Sequence, residues 1–189
     1  MAPAKPVLQV VIGSTRPGRV GGAVAQWFYD LAQNDEGFEV ELIDLAVVNL
    51  PLYDEPRHPM RQQYAHEHTK HWSLIVGRAD ALVFVIPEYN NSMNAAVKNA
   101  IDYLYHEWRY KPFGLVSYGG GSRGLRAAQA LKLSLVALKM PFAGDVGIGL
   151  AQTPVVDGVF AANEQLAASA GTLLEELARL TPLFQSLRA

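Results

Sequence analysis

Apolar residues along this chain fall into two alternating rhythms. Val7–Ile12 is an apolar run broken only by Gln9, the pattern of a strand covered on both faces. Val20, Ala23, Val24, Trp27, Phe28 and Leu31 then recur at helical spacing. Phe38–Asp44 predicts a second strand, Ala81–Pro87 a third, Pro112–Tyr118 a fourth, and the more weakly patterned Phe142–Gly147 a fifth. Further helices are predicted over Arg61–Arg78, Ser122–Leu138 and Asn163–Leu180. The cleanest amphipathic stripe is Met93, Ala96, Val97, Ala100, Ile101 and Leu104. Strand followed by helix, over and over, predicts parallel strands joined by right-handed crossovers, a doubly wound α/β sandwich. The sequence shows neither internal repeat nor linker, so residues 1–189 read as one domain.

One segment breaks the rhythm. Leu45–Pro59 holds Pro51, Pro56 and Pro59 without any period, which predicts a long loop. Loops of that length in a compact domain are usually functional or disordered. Its prolines limit the conformations it can lose on ordering and suit a preformed wall, the alternative being a solvated connection whose Tyr53 and Arg57 matter little.

Composition narrows the class. Half of the residues are hydrophobic and 18% are charged, which excludes intrinsic disorder. A net charge of −2 and a pI near 6.2 give no basic surface for nucleic acid. The absence of cysteine excludes disulfide scaffolds, thiolate metal sites and a thiol nucleophile. No apolar run approaches the ~18–20 residues of a membrane span, and Met1–Pro6 does not read as a signal peptide. The expectation is a soluble, cytoplasmic protein.

Ligands of an open parallel sheet bind beyond the carboxyl ends of its strands. Three loops are unusual at that edge. The first, Gly13 to Gly22, combines Ser14, Thr15, Arg16 and Arg19 with glycines ahead of a helix, the chemistry a phosphate requires. It approaches the pattern of nucleoside triphosphatases through Gly13 and Gly18. Arg19 replaces the lysine, however, and Val20 offers magnesium no hydroxyl, so that activity is set aside. The middle loop, Pro87 to Ser92, supplies a carboxylate, an aromatic ring, two amides and a hydroxyl, with Ser92 placed to cap the helix that follows. The third loop runs from Ser117 to Gly124 and matches G-x-G-x-x-G literally, with Asp145 further on. A dinucleotide fingerprint normally follows the first strand of its unit. The glycines are better read as bringing backbone N–H groups close to a flat ligand, with Asp145 a surface or strand-end residue.

With G-S-T-R after the first strand, P-E-Y-N-N-S running into A-V-K-N-A-I-D-Y-L, and S-Y-G-G-G-S-R-G, the sequence resembles the NADPH-dependent FMN reductases of the flavodoxin-like superfamily from about Val7 to Leu180. The resemblance implies a flavodoxin-like five-stranded parallel sheet in the order 2-1-3-4-5, with helices on both faces and FMN at the switch point. It implies that Ser14, Arg16, Arg19, Val20 and Gly21 hold the FMN phosphate. Pro87, Glu88, Tyr89, Asn90, Asn91 and Ser92 would flank the isoalloxazine and ribityl chain, and Ser117 with Gly119, Gly120 and Gly121 would border the ring's pyrimidine side. NADPH or NADH would deliver hydride to flavin N5, and electrons would pass to free flavin, a quinone, an azo dye or another small acceptor. No side chain is assigned as a catalytic acid or base. A homodimer or a dimer of dimers is implied. Family members often carry a small hydroxyl residue at the position of Arg19 and a proline at that of Asn94; Arg19 is expected to add positive charge beside the phosphate.

Other features carry less. His66, His68 and His71 do not match H-E-x-x-H, and solvent-facing histidines are expected there rather than a metal site. Tyr103, Tyr105, Trp108 and Tyr110 are expected to form an exposed aromatic patch and a subunit interface. The alternative function is a flavodoxin-type FMN electron carrier without its own NAD(P)H activity. Such carriers are far more acidic than this chain.

Overall fold

The computed structural model describes residues 5–188. Strand β1 (Val7–Ile12) leads through the first loop into α1 (Gly21–Gln33), then β2 (Glu39–Asp44) and a short α2 (Leu45–Val48). Helix α3 (Glu67–Arg78) precedes β3 (Ala81–Tyr89), β4 (Ser92–Met93) and α4 (Ala95–Asp102). Strand β5 (Phe113–Gly119), α5 (Leu125–Ala137) and β6 (Phe142–Gly149) follow. A small hairpin of β7 (Val155–Val156) and β8 (Val159–Phe160) connects to the long α6 (Glu164–Gln185).

The long strands lie in the order β2-β1-β3-β5-β6 and are parallel, as a doubly wound α/β fold requires. The expected five-stranded sheet is corrected to six strands, because β4 pairs antiparallel with β3. Asn90 and Asn91 adopt φ of 47° and 63°, which closes a two-residue hairpin between Tyr89 and Ser92. Ser92 is therefore a strand residue, and Asn94 takes the N-cap position of α4. A two-residue strand has no hydrophobic period by which to be recognised.

Alternation along each strand divides the core. Leu8, Val10 and Ile12 of β1 join Val83 and Val85 against Val24 and Phe28 of α1 and Leu173 and Leu177 of α6. Val11, Leu82, Phe84 and Ile86 face the opposite layer, built on α3, α4 and α5. The expected exposed aromatic patch is not there. Tyr103 and Trp108 are fully buried, and only Tyr105 and Tyr110 remain half-buried. Helix α4 stops at Asp102, so the chain turns inward: Trp108 packs edge-on against Trp72 at 6.0 Å and donates its indole N–H to the Ile101 carbonyl. The segment 45–59 also departs from expectation at its start. Asp44 accepts a hydrogen bond from Ala46 N and caps α2, and Asn49, at φ 50°, ends it. Among the described residues, no helix is long and apolar enough to cross a membrane.

Candidate functional site

The polarity of the sheet puts the three loops on one edge. β2 and β3 flank β1 on opposite sides, so the loops after β1 and β3 diverge and leave a crevice. A cleft of about 210 Å³ opens there, lined by Arg16, Arg19 and Val20 of the first loop, Pro87 to Tyr89 of the second, and Tyr118 to Gly120 of the third, with Leu150 behind. The convergence expected from sequence is present.

Gly13 opens the first loop because nothing larger fits. A Cβ there would collide with Val97 Cγ2 and lie 3.1 Å from the Val85 carbonyl oxygen. Ser14 is fully buried; its hydroxyl makes no hydrogen bond of good geometry among the described residues, and the Tyr118 hydroxyl is its one near polar neighbour there. Gly21 begins α1 against this hydroxyl and that of Tyr118, where a Cβ would overlap both. No side chain caps α1. Uncapped N–H groups and the positive end of the helix dipole thus face the loop. The exposed Arg16 guanidinium stands 5.9 Å from the Tyr89 ring centroid and belongs to no ion pair among the described residues. Burial pushes the Tyr118 phenol up to about 12, so it stays neutral.

Arg19 is placed differently from expectation. Its guanidinium grips the Asp44 carboxylate with two hydrogen bonds, of 2.6 and 2.5 Å, and also donates to the Ser14 carbonyl. The charge at Arg19 is therefore paired, and Arg16 is the free cation of the loop.

The middle and third loops are tied together. Glu88 pairs with Arg126 at 2.9 Å and accepts the Arg126 backbone N–H, and the same guanidinium donates to Asn91 Oδ1. Ser117 is buried, and its hydroxyl donates to the Arg123 carbonyl; it shapes the third loop from within. Gly120 and Gly121 are exposed, with nothing within 4 Å of where a Cβ would stand. Asn90 is exposed beside the cleft, and Ser92 pairs with Tyr89 across the hairpin. Asp145 lies exposed on β6, away from the cleft.

The loop after α2 is pinned rather than loose. Tyr53 N donates to Asn99 Oδ1, its ring meets Tyr103 edge-on at 5.2 Å, and Arg57 donates to Gln63. His66 and His68 stack at 5.1 Å, and His68 contacts Asp54 at 2.9 Å. No group of three or more potential metal ligands exists among the described residues.

A buried hydroxyl, an uncapped helix start and a free arginine thus belong to one loop that borders this cleft. Residues 7–153 match the NADPH-dependent FMN reductase family. The chain belongs to this family. It is 36% identical over 184 residues to the NAD(P)H-dependent FMN reductase C4B3.06c of Schizosaccharomyces pombe, covering 96% of this chain and 92% of that one. It is also 32% identical to an NADPH azoreductase of a Bacillus species over 79% of each chain, and 34% identical to a quinone reductase of Pseudomonas putida over 70% of each. Among solved structures, the flavoenzyme NAD(P)H:acceptor oxidoreductase FerB from Paracoccus denitrificans superposes with a TM-score of 0.71 at 21% identity, over 93% of this chain and 98% of that one. Megasphaera elsdenii flavodoxin superposes with a TM-score of 0.55 at 15% identity, over 91% and 98%, which makes the fold flavodoxin-like.

Sequence reasoning missed four residues of this candidate site. Asp44 closes β2 at the ligand edge, a position that alone is a signal. Asn94 is buried and donates to the Gly13 carbonyl at 2.6 Å, tying the start of α4 to the first loop. Tyr118 lay inside a motif read for its glycines. Arg126 had no signal, since its partners are distant in sequence.

Proposed function

We propose that this reductase binds FMN in the cleft, takes hydride from NADPH or NADH, and passes electrons to a small acceptor such as free flavin, a quinone or an azo dye. The observation that carries the reading is the buried Ser14 hydroxyl, with no hydrogen bond of good geometry and only the Tyr118 hydroxyl beside it, at the uncapped start of α1. Buried hydroxyls are seldom left without a partner, and a phosphate oxygen supplies one.

Ser14, Arg16, Val20 and Gly21 would hold the phosphate, with Arg19 in the same loop. Pro87, Glu88, Tyr89, Asn90, Asn91 and Ser92 would flank the ring and ribityl chain. Ser117 and Gly119 to Gly121 would border the pyrimidine side, where backbone N–H groups favour negative charge on the ring. When bound, FMN supplies the hydride-accepting atom and the two-electron chemistry. The protein contributes orientation and electrostatics. Glu88 has its carboxylate occupied by the start of α5, so no proton transfer is assigned to it.

A cytoplasmic homodimer or dimer of dimers is part of the proposal. Val47, Leu52 and Met60, exposed around the segment after β2, would be covered in that assembly. Fluorescence titration with FMN, followed by steady-state assays with both nucleotides and each acceptor class, tests the reading. Uptake of FMN with turnover supports it; no uptake overturns it.

A further inference from the structure

We infer that Arg19 is a positioning residue: through Asp44 it holds the phosphate loop in its binding shape and does not itself contact the ligand. The inference rests on the FMN reading above and concerns how the loop achieves it.

The loop has little else to fix it. Thr15, Arg16, Pro17 and Gly18 are all exposed, and Gly18 takes φ 70°. The Arg19 guanidinium spans the gap these residues leave. It joins the loop's end to the Ser14 carbonyl at its beginning and to Asp44 on the neighbouring strand. Asp44 is a firm anchor, since it pairs in register with Ile12 and its carboxylate also caps α2 through Ala46 N. Both side chains are only 22% exposed.

A bidentate arginine–carboxylate pair fixes orientation as well as distance. The clip sets the Ser14 hydroxyl and the first N–H groups of α1 toward one point before any ligand arrives, which reduces the ordering cost of binding. Moving Arg19 to a phosphate would strand the Asp44 carboxylate beside a second anion. The opposite role, a direct phosphate ligand held in reserve by Asp44, makes the reverse forecast for Asp44 variants.

The test uses Arg19→Ala, Arg19→Lys, Asp44→Ser and the Arg19→Ala/Asp44→Ser double variant in the full chain, with FMN and riboflavin as probes. Serine keeps the α2 cap but is too short to reach Arg19. Each single variant is expected to weaken FMN about tenfold, the scale of a hydrogen-bonded charged pair. The double variant should be no weaker than either single one, and riboflavin should change little. In ligand-free protein, amide hydrogen exchange over residues 13–21 should accelerate in all three single variants. FMN affinity retained in Arg19→Lys, or unchanged or tightened in Asp44→Ser, overturns the inference, as does unaltered exchange. If the wild-type chain takes up no FMN, the cofactor reading fails, while the exchange comparison still decides whether the clip orders the loop.

Discussion

Glu88 at the end of β3 and Arg126 in the first turn of α5 form one joint between two walls of the cleft. One Glu88 oxygen receives the Arg126 guanidinium at 2.9 Å, and the other receives its backbone N–H at 3.1 Å. The carboxylate thus caps a helix whose own N-cap, Gly124, has no side chain to offer. Burial works to raise the carboxyl's pKa, but hydrogen bonds from Ser122 and Arg126 outweigh it and hold the group below the ordinary carboxylate range.

Glu88 is therefore expected to act as a strut and not as an acid. Glu88→Ala should cost about 1 kcal/mol of stability, the usual loss for a helix cap, and weaken FMN measurably. Glu88→Gln should leave the pH profile of turnover unchanged. A profile that loses a limb in Glu88→Gln would assign the carboxyl a proton-transfer role.

Arg16 is the free cation of the first loop, so its loss should be felt through the phosphate. Arg16→Ala is expected to weaken FMN by about 1.5–3 kcal/mol, the range for hydrogen bonds to charged groups. Riboflavin, which lacks the phosphate, should be nearly unaffected. Equal losses for the two ligands in parallel fluorescence titrations would contradict the placement.

Two glycines separate packing from ligand approach. Gly13→Ala drives a methyl into Val97 and the Val85 carbonyl, which should destabilise the fold by about 1–3 kcal/mol in denaturant titration. Gly120→Ala meets no protein atom and should leave stability unchanged while weakening FMN. An equal loss of stability in both would show that Gly120 packs as tightly as Gly13.

The long strands were legible because a strand buried on both faces is a continuous apolar run, as in Ala81–Pro87. The three loops of the candidate site were legible for a different reason: Ser14, Arg16 and the glycines are costly choices for mere connections. The Ser92–Met93 strand was hidden, since its cause is the left-handed pair Asn90–Asn91 rather than a period. Tyr103 and Trp108 misled because composition does not reveal that the chain folds back under α3 at Asp102. Arg19 was readable as a cation but not as a paired one, because Asp44 lies 25 positions away.

Acid stability should depend on Asp80, which accepts from Val7 N at 2.8 Å and from Arg188 at 2.7 Å. Burial opposes its ionisation, but hydrogen bonds from Gln185, Val7 and Arg188 prevail and lower its pKa from the ordinary 3.8. The unfolded chain then binds this proton more readily than the folded one. The contribution is complete above about pH 3.8 and is lost as pH falls through the lower folded value. Asp80→Asn should flatten that part of the stability curve and leave its slope at higher pH intact. An acid limb as steep as wild type would remove Asp80 from the account.

Reduction of the bound cofactor by nicotinamide separates an oxidoreductase from a passive electron carrier. FMN-loaded protein mixed anaerobically with NADPH, and in parallel with NADH, should lose its oxidised-flavin absorbance within the turnover time of the steady-state reaction, and a quinone or azo dye added afterwards should restore it. Absorbance that stays unchanged with both nucleotides, in protein that binds FMN and can be reduced by dithionite, would contradict the assignment and leave an FMN-binding carrier in its place.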